Sequence, residues 1–408
     1  MSVRFLKQLK IKSFHIHKIT GVLFILLVGL FSYGQYRQRL DANKQSDFEN
    51  NLNSLTIELD RLKLERDALI ASQSALLTEL ETLKNEDLRK INAETKAKIA
   101  QVETVFRLAS ITIESFSDAR YQGINTSAFE GDLAKAISLL SQLKYDEANT
   151  QLSTINKKVT ELTVVKTAQI AAQASPAQDP PVAGSYRRQS VTTSRGSFVV
   201  SLIAEQTGSI KMITDSASDD TCTNNCAVLP LATYVSRNSG FAGINGSYFC
   251  PSDYPSCSDK VNSFNTLIFN SRLKKYLNSD QNVYSLVPLV VQNADHSLRF
   301  MGASQEWGRD TGIFGGIANQ PLLVSGGHAL VTESGGKGPR GFIGVKNSTL
   351  YIGVVNGADL GDAASVLATL GLETALNLDG GGSSALYYNG KYVVGPGRNL
   401  PNALILVR

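Results

Sequence analysis

The sequence predicts an α+β protein: a mixed-sheet C-terminal domain preceded by a transmembrane helix and an α-helical coiled-coil stalk. Three observations predict it. Of the 33 glycines, 27 follow residue 184, and glycine weakens helix interiors but serves the turns between strands. Leucines before residue 100 recur at spacings of three and four, whereas apolar runs after residue 184 are short and alternating, which are the periods of helix and strand. Residues 19–36 carry no charge and are dense in Leu, Ile, Val and Phe, just enough to cross a hydrocarbon layer of ~30 Å.

At 408 residues the chain has room for two or more domains. A net charge of +4 makes no case for a nucleic-acid partner, and the placement of charge says more. Residues 1–40 hold seven Lys and Arg and no acid. Residues 1–18 therefore read as a basic cytoplasmic tail, 19–36 as a single span of the cell membrane, and everything beyond as extracytoplasmic. A cleaved signal peptide is the rival, with Ser32 and Gly34 as small residues near a cut.

Phe48, Leu52, Leu55, Leu59, Leu62, Arg66, Leu69, Gln73, Leu76, Leu80 and Leu83 follow one another at spacings of mostly four and three, an a/d seam. Residues 41–98 are read as a coiled coil joining copies of the chain, with Arg66 and Gln73 as polar positions that fix register. A single long helix packed on the same chain is the other reading. Residues 99–172 stay helical, interrupted at 117–118 and 123–125, with an amphipathic run over 132–143, and read as a hairpin or small bundle. Residues 173–184, QASPAQDPPVAG, form a Pro/Ala linker.

The remainder, 185–408, starts with strand-like runs at 197–204 and 209–214. A helix is expected over 362–370, with Asp362 as N-cap and Gly371 past its end, feeding a short strand that ends at Asp379. Cys222, Cys226, Cys250 and Cys257 stand as C-x3-C and C-x6-C pairs with no histidine near them, so two local disulfides are read rather than a metal site. His296 and His328 have no metal-ligand spacing and are read as structural. A P-loop, a G-x-S-x-G elbow and an H-E-x-x-H helix are all missing from the sequence.

Four stretches carry chemistry. In LNLDGGGSSALYYNG, a carboxylate at a strand end meets three glycines able to bring backbone N–H groups to an anion. A hairpin turn follows at Asn389-Gly390. Alternatively Asp379 only caps its own turn. In GINGSYF, Asn245 stands at a strand end before Tyr248 and Phe249, either a sugar contact or an ordinary Asn-Gly turn. GPRGFIGV places Arg340 on a short turn suited to phosphate, or exposed for solubility. In GPGRNLPNALILV, Arg398 and Asn402 precede a terminal strand. Asn356 ends another apolar run, YIGVVNG.

Together and in this order, these stretches resemble the phosphodiester glycosidase family, over about residues 185–408. NLDGGGSSAL with a downstream R-x-x-x-N-A-L carries the likeness, and NGSYF adds to it. The family usually has Thr or Ser after the arginine of GPRGF, where this chain has Gly341. The resemblance implies hydrolysis of a sugar-1-phosphodiester at the anomeric C–O bond. Phosphate is already a good leaving group, so the needs are to neutralise it and to stabilise an oxocarbenium-like sugar. Asp379, Arg340 and Asn245 are then the catalytic residues. Gly380, Gly381, Gly382, Ser383, Arg398, Asn402 and Asn356 are the substrate-binding ones. Asp379 can be nucleophile, base or electrostatic partner, and Glu306, Asp310, Asp359 and Asp362 are candidates for a second acid. No cofactor or metal is implied, with a divalent cation left open. The expected partners are a glycan or sugar-phosphate substrate, the membrane, and further copies of the chain. A non-catalytic glycan-binding module, or an envelope protein whose stalk carries the function, are the rivals.

Overall fold

The structure is a computed structural model and describes residues 45–82, 86–332 and 335–408. The expected membrane span at 19–36 lies outside the described residues. Among those that are described, no helix is long and apolar enough to cross a membrane. Packing divides the chain into two units. One holds residues up to 117, 125–159 and 252–258, and the other holds 118–124, 160–251 and 259–408.

The first unit is helical, built from α1 (Gln45–Thr82), α2 (Glu86–Tyr121), α3 (Glu130–Ser141) and α4 (Tyr145–Ala171). The last turn of α2 and the end of α4 belong to the second unit. Its core follows helical spacing. Val105, Ala109, Ile113 and Phe116 on α2, Leu133, Ile137 and Leu140 on α3, and Leu152, Ile155 and Val159 on α4 are all buried. Asn156 donates to the Thr112 hydroxyl at 2.8 Å, tying α4 to α2.

The helices differ from the expected division. Residue 98 is no boundary, because α2 runs through it, and residues 117–118 do not break that helix. Along the expected seam, Leu55 and Leu59 are buried but Leu69 and Leu76 are 40% exposed. Arg66 lies over the Phe106 ring of α2 and pairs with Asp67 at 2.7 Å.

The second unit is rich in sheet. Its largest sheet orders β1 (Ser175–Pro176), β2 (Ser185–Thr193), β3 (Gly196–Gln206), β14 (Thr349–Ala358), β13 (Gly338–Lys346), β15 (Thr374–Gly380), β11 (Leu322–Ser325) and β12 (His328–Ala329). Only β1 and β2 run parallel. A second sheet orders β7 (Lys275–Leu277), β6 (Ile268–Asn270), β10 (Ile313–Ala318), β8 (Leu289–Asn293) and β9 (Leu298–Met301). A third orders β17 (Lys391–Val394), β16 (Leu386–Tyr388), β5 (Ala242–Asn245), β18 (Asn402–Val407) and β4 (Lys211–Ser216).

The large sheet is apolar on both faces. One face, with Leu202 and Phe342, packs on helix α6 (Leu360–Thr369), the helix α5 (Leu231–Arg237) lying elsewhere. The other, with Ile203, Ile343 and Leu376, packs on Ile244 and Leu404 of the third sheet and Val290 and Ile317 of the second. The N-cap of α6 is Asp359, not Asp362. Asp359 accepts from the Asp362 N–H and Asp362 returns the bond to the Asp359 N–H, a reciprocal capping box. The expected linker is also not free. Ser175–Pro176 pairs with β2, and Gln189 donates to the carbonyls of Ala177 and Asp179 at 2.9 Å. Cys222 and Cys226 form a disulfide, and Cys250 and Cys257 are disulfide-bonded too.

Candidate active site

Asp379 is the last residue but one of β15, beside a β-bulge. Phe342 pairs with Asn377 but Arg340 pairs with Gly380, so one extra residue sits on β15 opposite Gly341. Glycine fits there because a Cβ at 341 would lie 2.7 Å from the Asp379 carbonyl and 3.3 Å from Asn245 Nδ2. A Ser or Thr at this position would have to push the bulge apart. The backbone of Asp379 is clamped from β5 on both sides. Asn245 Nδ2 donates to its carbonyl at 2.7 Å, and its own N–H donates to the Gly246 carbonyl at 2.9 Å. Asn245 Oδ1 accepts from the Ala385 N–H at 3.0 Å, so the whole carboxamide is spent on backbone. Asn402 does similar work, accepting from the Ser247 N–H at 2.9 Å and donating to its hydroxyl at 3.1 Å.

The Asp379 side chain is buried, and burial pushes its carboxyl up to about 7. Hydrogen bonds from the Ser383 hydroxyl and the Gly380 N–H, and the charge of Arg398, pull the other way, while Asp118 raises it further. The Gly380 N–H lies 2.8 Å from Oδ1. Arg398 is itself only 5% exposed. Its Nη1 donates to Ser383 Oγ at 3.4 Å and its Nη2 to Asp118 Oδ1 at 2.7 Å, with the guanidinium over the Tyr121 ring. A chain of donors thus runs from Arg398 through Ser383 to Asp379.

Asp118 lies against the glycine turn. A Cβ on Gly381 would collide with its carboxylate, and one on Gly382 would come within 2.8 Å of Oδ1. Gly381 also takes a positive φ of 59°, open to glycine at little cost. The Asp118 carboxylate thus stands against Gly381 and Gly382 while paired with Arg398.

Arg340 pairs across from Gly380. Its Nε donates to the Ala358 carbonyl at 3.1 Å and its Nη2 to the Gly336 carbonyl. Its Nη1 stands 3.3 Å from where a Cβ of Gly380 would be. Arg340, Arg398 and Asn245 are thus set against the loop that carries Asp379, the glycines and Ser383, whereas Asn402 binds Ser247. Asn356 turns to the Val199 carbonyl at 3.3 Å, on β14. Of the candidates for a second acid, Asp362 is bound to Arg195 at 2.8 Å, Asp359 caps α6, and Asp310 accepts from the Gly312 N–H. Among the described residues no cluster of His, Cys, Asp and Glu has the form of a metal site.

Sequence reasoning missed Asp118, Tyr121, Asn319 and Asn377. Asp118 precedes Arg398 by 280 residues and carries no local signal. Asn377 had one: it stands in the NLDGGG stretch, two residues before the acid. It donates to the Tyr248 hydroxyl at 2.6 Å and the Gln320 carbonyl at 2.9 Å. Asn319 joins the Tyr248 N–H to the Asn377 carbonyl, at 3.1 and 3.0 Å.

Fold and site define an α+β domain whose sheet-end carboxylate adjoins a buried arginine and a glycine turn. Residues 240–407 match the model of the phosphodiester glycosidase family, a family of hydrolases. No curated protein matches the sequence. Solved structures similar to it include a hypothetical protein from Synechocystis, at 15% identity and a TM-score of 0.42, covering 55% of this chain. The chain spans 62% of that protein's length. Another is the zebrafish N-acetylglucosamine-1-phosphodiester α-N-acetylglucosaminidase catalytic domain auto-inhibited by its pro-peptide, at 15% identity and 0.42, covering 58% of this chain and 86% of its own. A third is a putative exported protein from Burkholderia pseudomallei, at 11% and 0.39, covering 52% and 74%.

Proposed function

We propose that the domain hydrolyses sugar-1-phosphodiesters in surface glycans. The observation that carries this is the pairing of Asp379 with an anion seat built from Arg398, Ser383 and the glycine turn. Arg398 and Arg340 neutralise the phosphate, which leaves as a weak base, and electrostatic complementarity of this kind is worth most in a site shielded from water. Asp379 as carboxylate meets the positive charge that grows at the anomeric carbon. Asn245 and Asn402 hold the loop in place without touching substrate. Asp118 has to leave the seat before a phosphate can enter. The experiment is release of reducing sugar from a panel of sugar-1-phosphodiesters. Asp379→Asn is expected to lower turnover by ~10³-fold while the protein stays folded, and wild-type protein inert on the whole panel would sink the reading.

Asp118 on the seat favours a second reading, a module that binds glycan phosphates without cleaving them. In that case Asp118→Asn and Asp379→Asn would both bind substrate and neither would yield product. We also propose that residues 19–36 anchor the chain as a single span with the domain outside the cell, and that copies associate through the 48–83 seam, whose Leu69 and Leu76 are uncovered. Protease protection in spheroplasts and the sedimentation of residues 41–408 test the two points. A cytoplasmic C-terminus, or a monomer, would refute each in turn.

A further inference from the structure

Near Asp379 stands a pair of side chains that the reaction above does not use. The Tyr248 ring is half-buried, and its hydroxyl accepts from Asn377 Nδ2 at 2.6 Å. The orientation of that carboxamide is fixed, because the same Nδ2 also donates to the Gln320 carbonyl at 2.9 Å; turned over, two oxygens would face each other. Tyr248 therefore spends its lone pair on Asn377 and keeps its proton to donate elsewhere. Asn377 is fully buried, yet its Oδ1 has no hydrogen-bond partner among the described residues. Such a group is rarely left unsatisfied in a folded protein.

The place of this pair says what it meets. Tyr248 stands two residues after Gly246, whose carbonyl accepts from the Asp379 N–H at 2.9 Å, and its hydroxyl is bonded to Asn377, two residues before the acid. Arg398, Ser383 and the glycine turn follow Asp379 in the loop, and Asn377 precedes it. The Tyr248 phenol is thus a free donor next to the residue that faces the anomeric carbon. We propose that the Tyr248 hydroxyl, aimed by Asn377, donates a hydrogen bond to one hydroxyl of the substrate's sugar and so helps to set which sugar is accepted. Asn377 acts as a positioning residue. The inference rests on the sugar-1-phosphodiester reading and adds to it a residue that reads the sugar.

Tyr248→Phe removes the hydroxyl and keeps the ring. Glucose 1-phosphate, its 2-, 3-, 4- and 6-deoxy analogues and inorganic phosphate would be titrated calorimetrically into the full chain, and into Asp118→Asn so that the occupied seat does not mask binding. One deoxy analogue is expected to bind ~10- to 100-fold more weakly than the parent. Tyr248→Phe should erase that difference and leave the affinity for inorganic phosphate unchanged. The proposal is overturned if discrimination survives Tyr248→Phe, or if the variant loses phosphate affinity and thermal stability together. Phosphate binding without any sugar-phosphate preference also overturns it. Discrimination as expected with no turnover of any diester defeats only the hydrolase reading.

Discussion

The α3–α4 hairpin and the 374–402 loop bury their residues for opposite reasons. In the hairpin, Leu133, Ile137, Leu152 and Ile155 are covered by other apolar side chains, and its ion pair, Lys158 with Asp132 at 3.2 Å, lies on the surface. In the loop, a carboxylate, a guanidinium and two asparagines, Asn377 and Asn402, are buried among polar partners, and Asn377 Oδ1 has none among the described residues. Burying apolar groups stabilises the fold, whereas burying a charge costs stability unless it is paired. The difference teaches that the hairpin is held for its own sake, and that the loop keeps an expensive arrangement which only binding or chemistry rewards.

The comparison can be broken from the loop side first. Arg398→Gln leaves Asp379 and Asp118 facing one another without their shared cation, and is expected to cost ~10²-fold or more in turnover. Steady-state kinetics on the best diester checks it, and a change under threefold would remove Arg398 from the anion seat. Asp118→Asn is expected to act oppositely, raising affinity for inorganic phosphate ~10-fold, since the seat no longer holds its own carboxylate; equal affinities in calorimetry would contradict the occupied-seat account. From the hairpin side, Leu152→Ala should cost about 2–5 kcal/mol of stability by cavity formation and leave phosphate affinity untouched, as denaturant melts and calorimetry would show.

The smallest effect is on pH. With its carboxyl raised from 3.8 to about 7, Asp379 binds its proton more tightly in the folded state. The resulting stability is fully present below about pH 4 and lost as pH rises through about 7. Asp379→Asn should flatten that slope in melts taken from pH 4 to 8. Turnover that needs the carboxylate should rise through about pH 7. Asp118→Asn, by removing a neighbouring anion, should move that rise to lower pH; an unmoved midpoint would mean that Asp118 is not felt at the acid.

Much of this was legible residue by residue. The Asn389-Gly390 turn takes two positive φ angles, as the dipeptide demands, and the 3.6 and 2.0 periods separated helical front from sheeted back. The α6 cap was misplaced by three residues because Asp359 and Asp362 are both good caps, and only the reciprocal bonds decide between them. The Pro/Ala run at 173–184 reads as a linker, and nothing local reveals that Gln189 holds the carbonyls of Ala177 and Asp179.

By itself the sequence determined which groups the site contains: the acid, the glycines and the two arginines lie in stretches whose composition sets local backbone freedom and charge. Tertiary structure alone decided how they are used. The bulge opposite Gly341, the Asn245 clamp, the Asp118 carboxylate on the glycine turn and the Tyr248–Asn377 pair all join residues distant in the chain or offset by register. Propensity and periodicity act over a few neighbours, whereas these contacts exist only once strands from separate parts of the chain have paired.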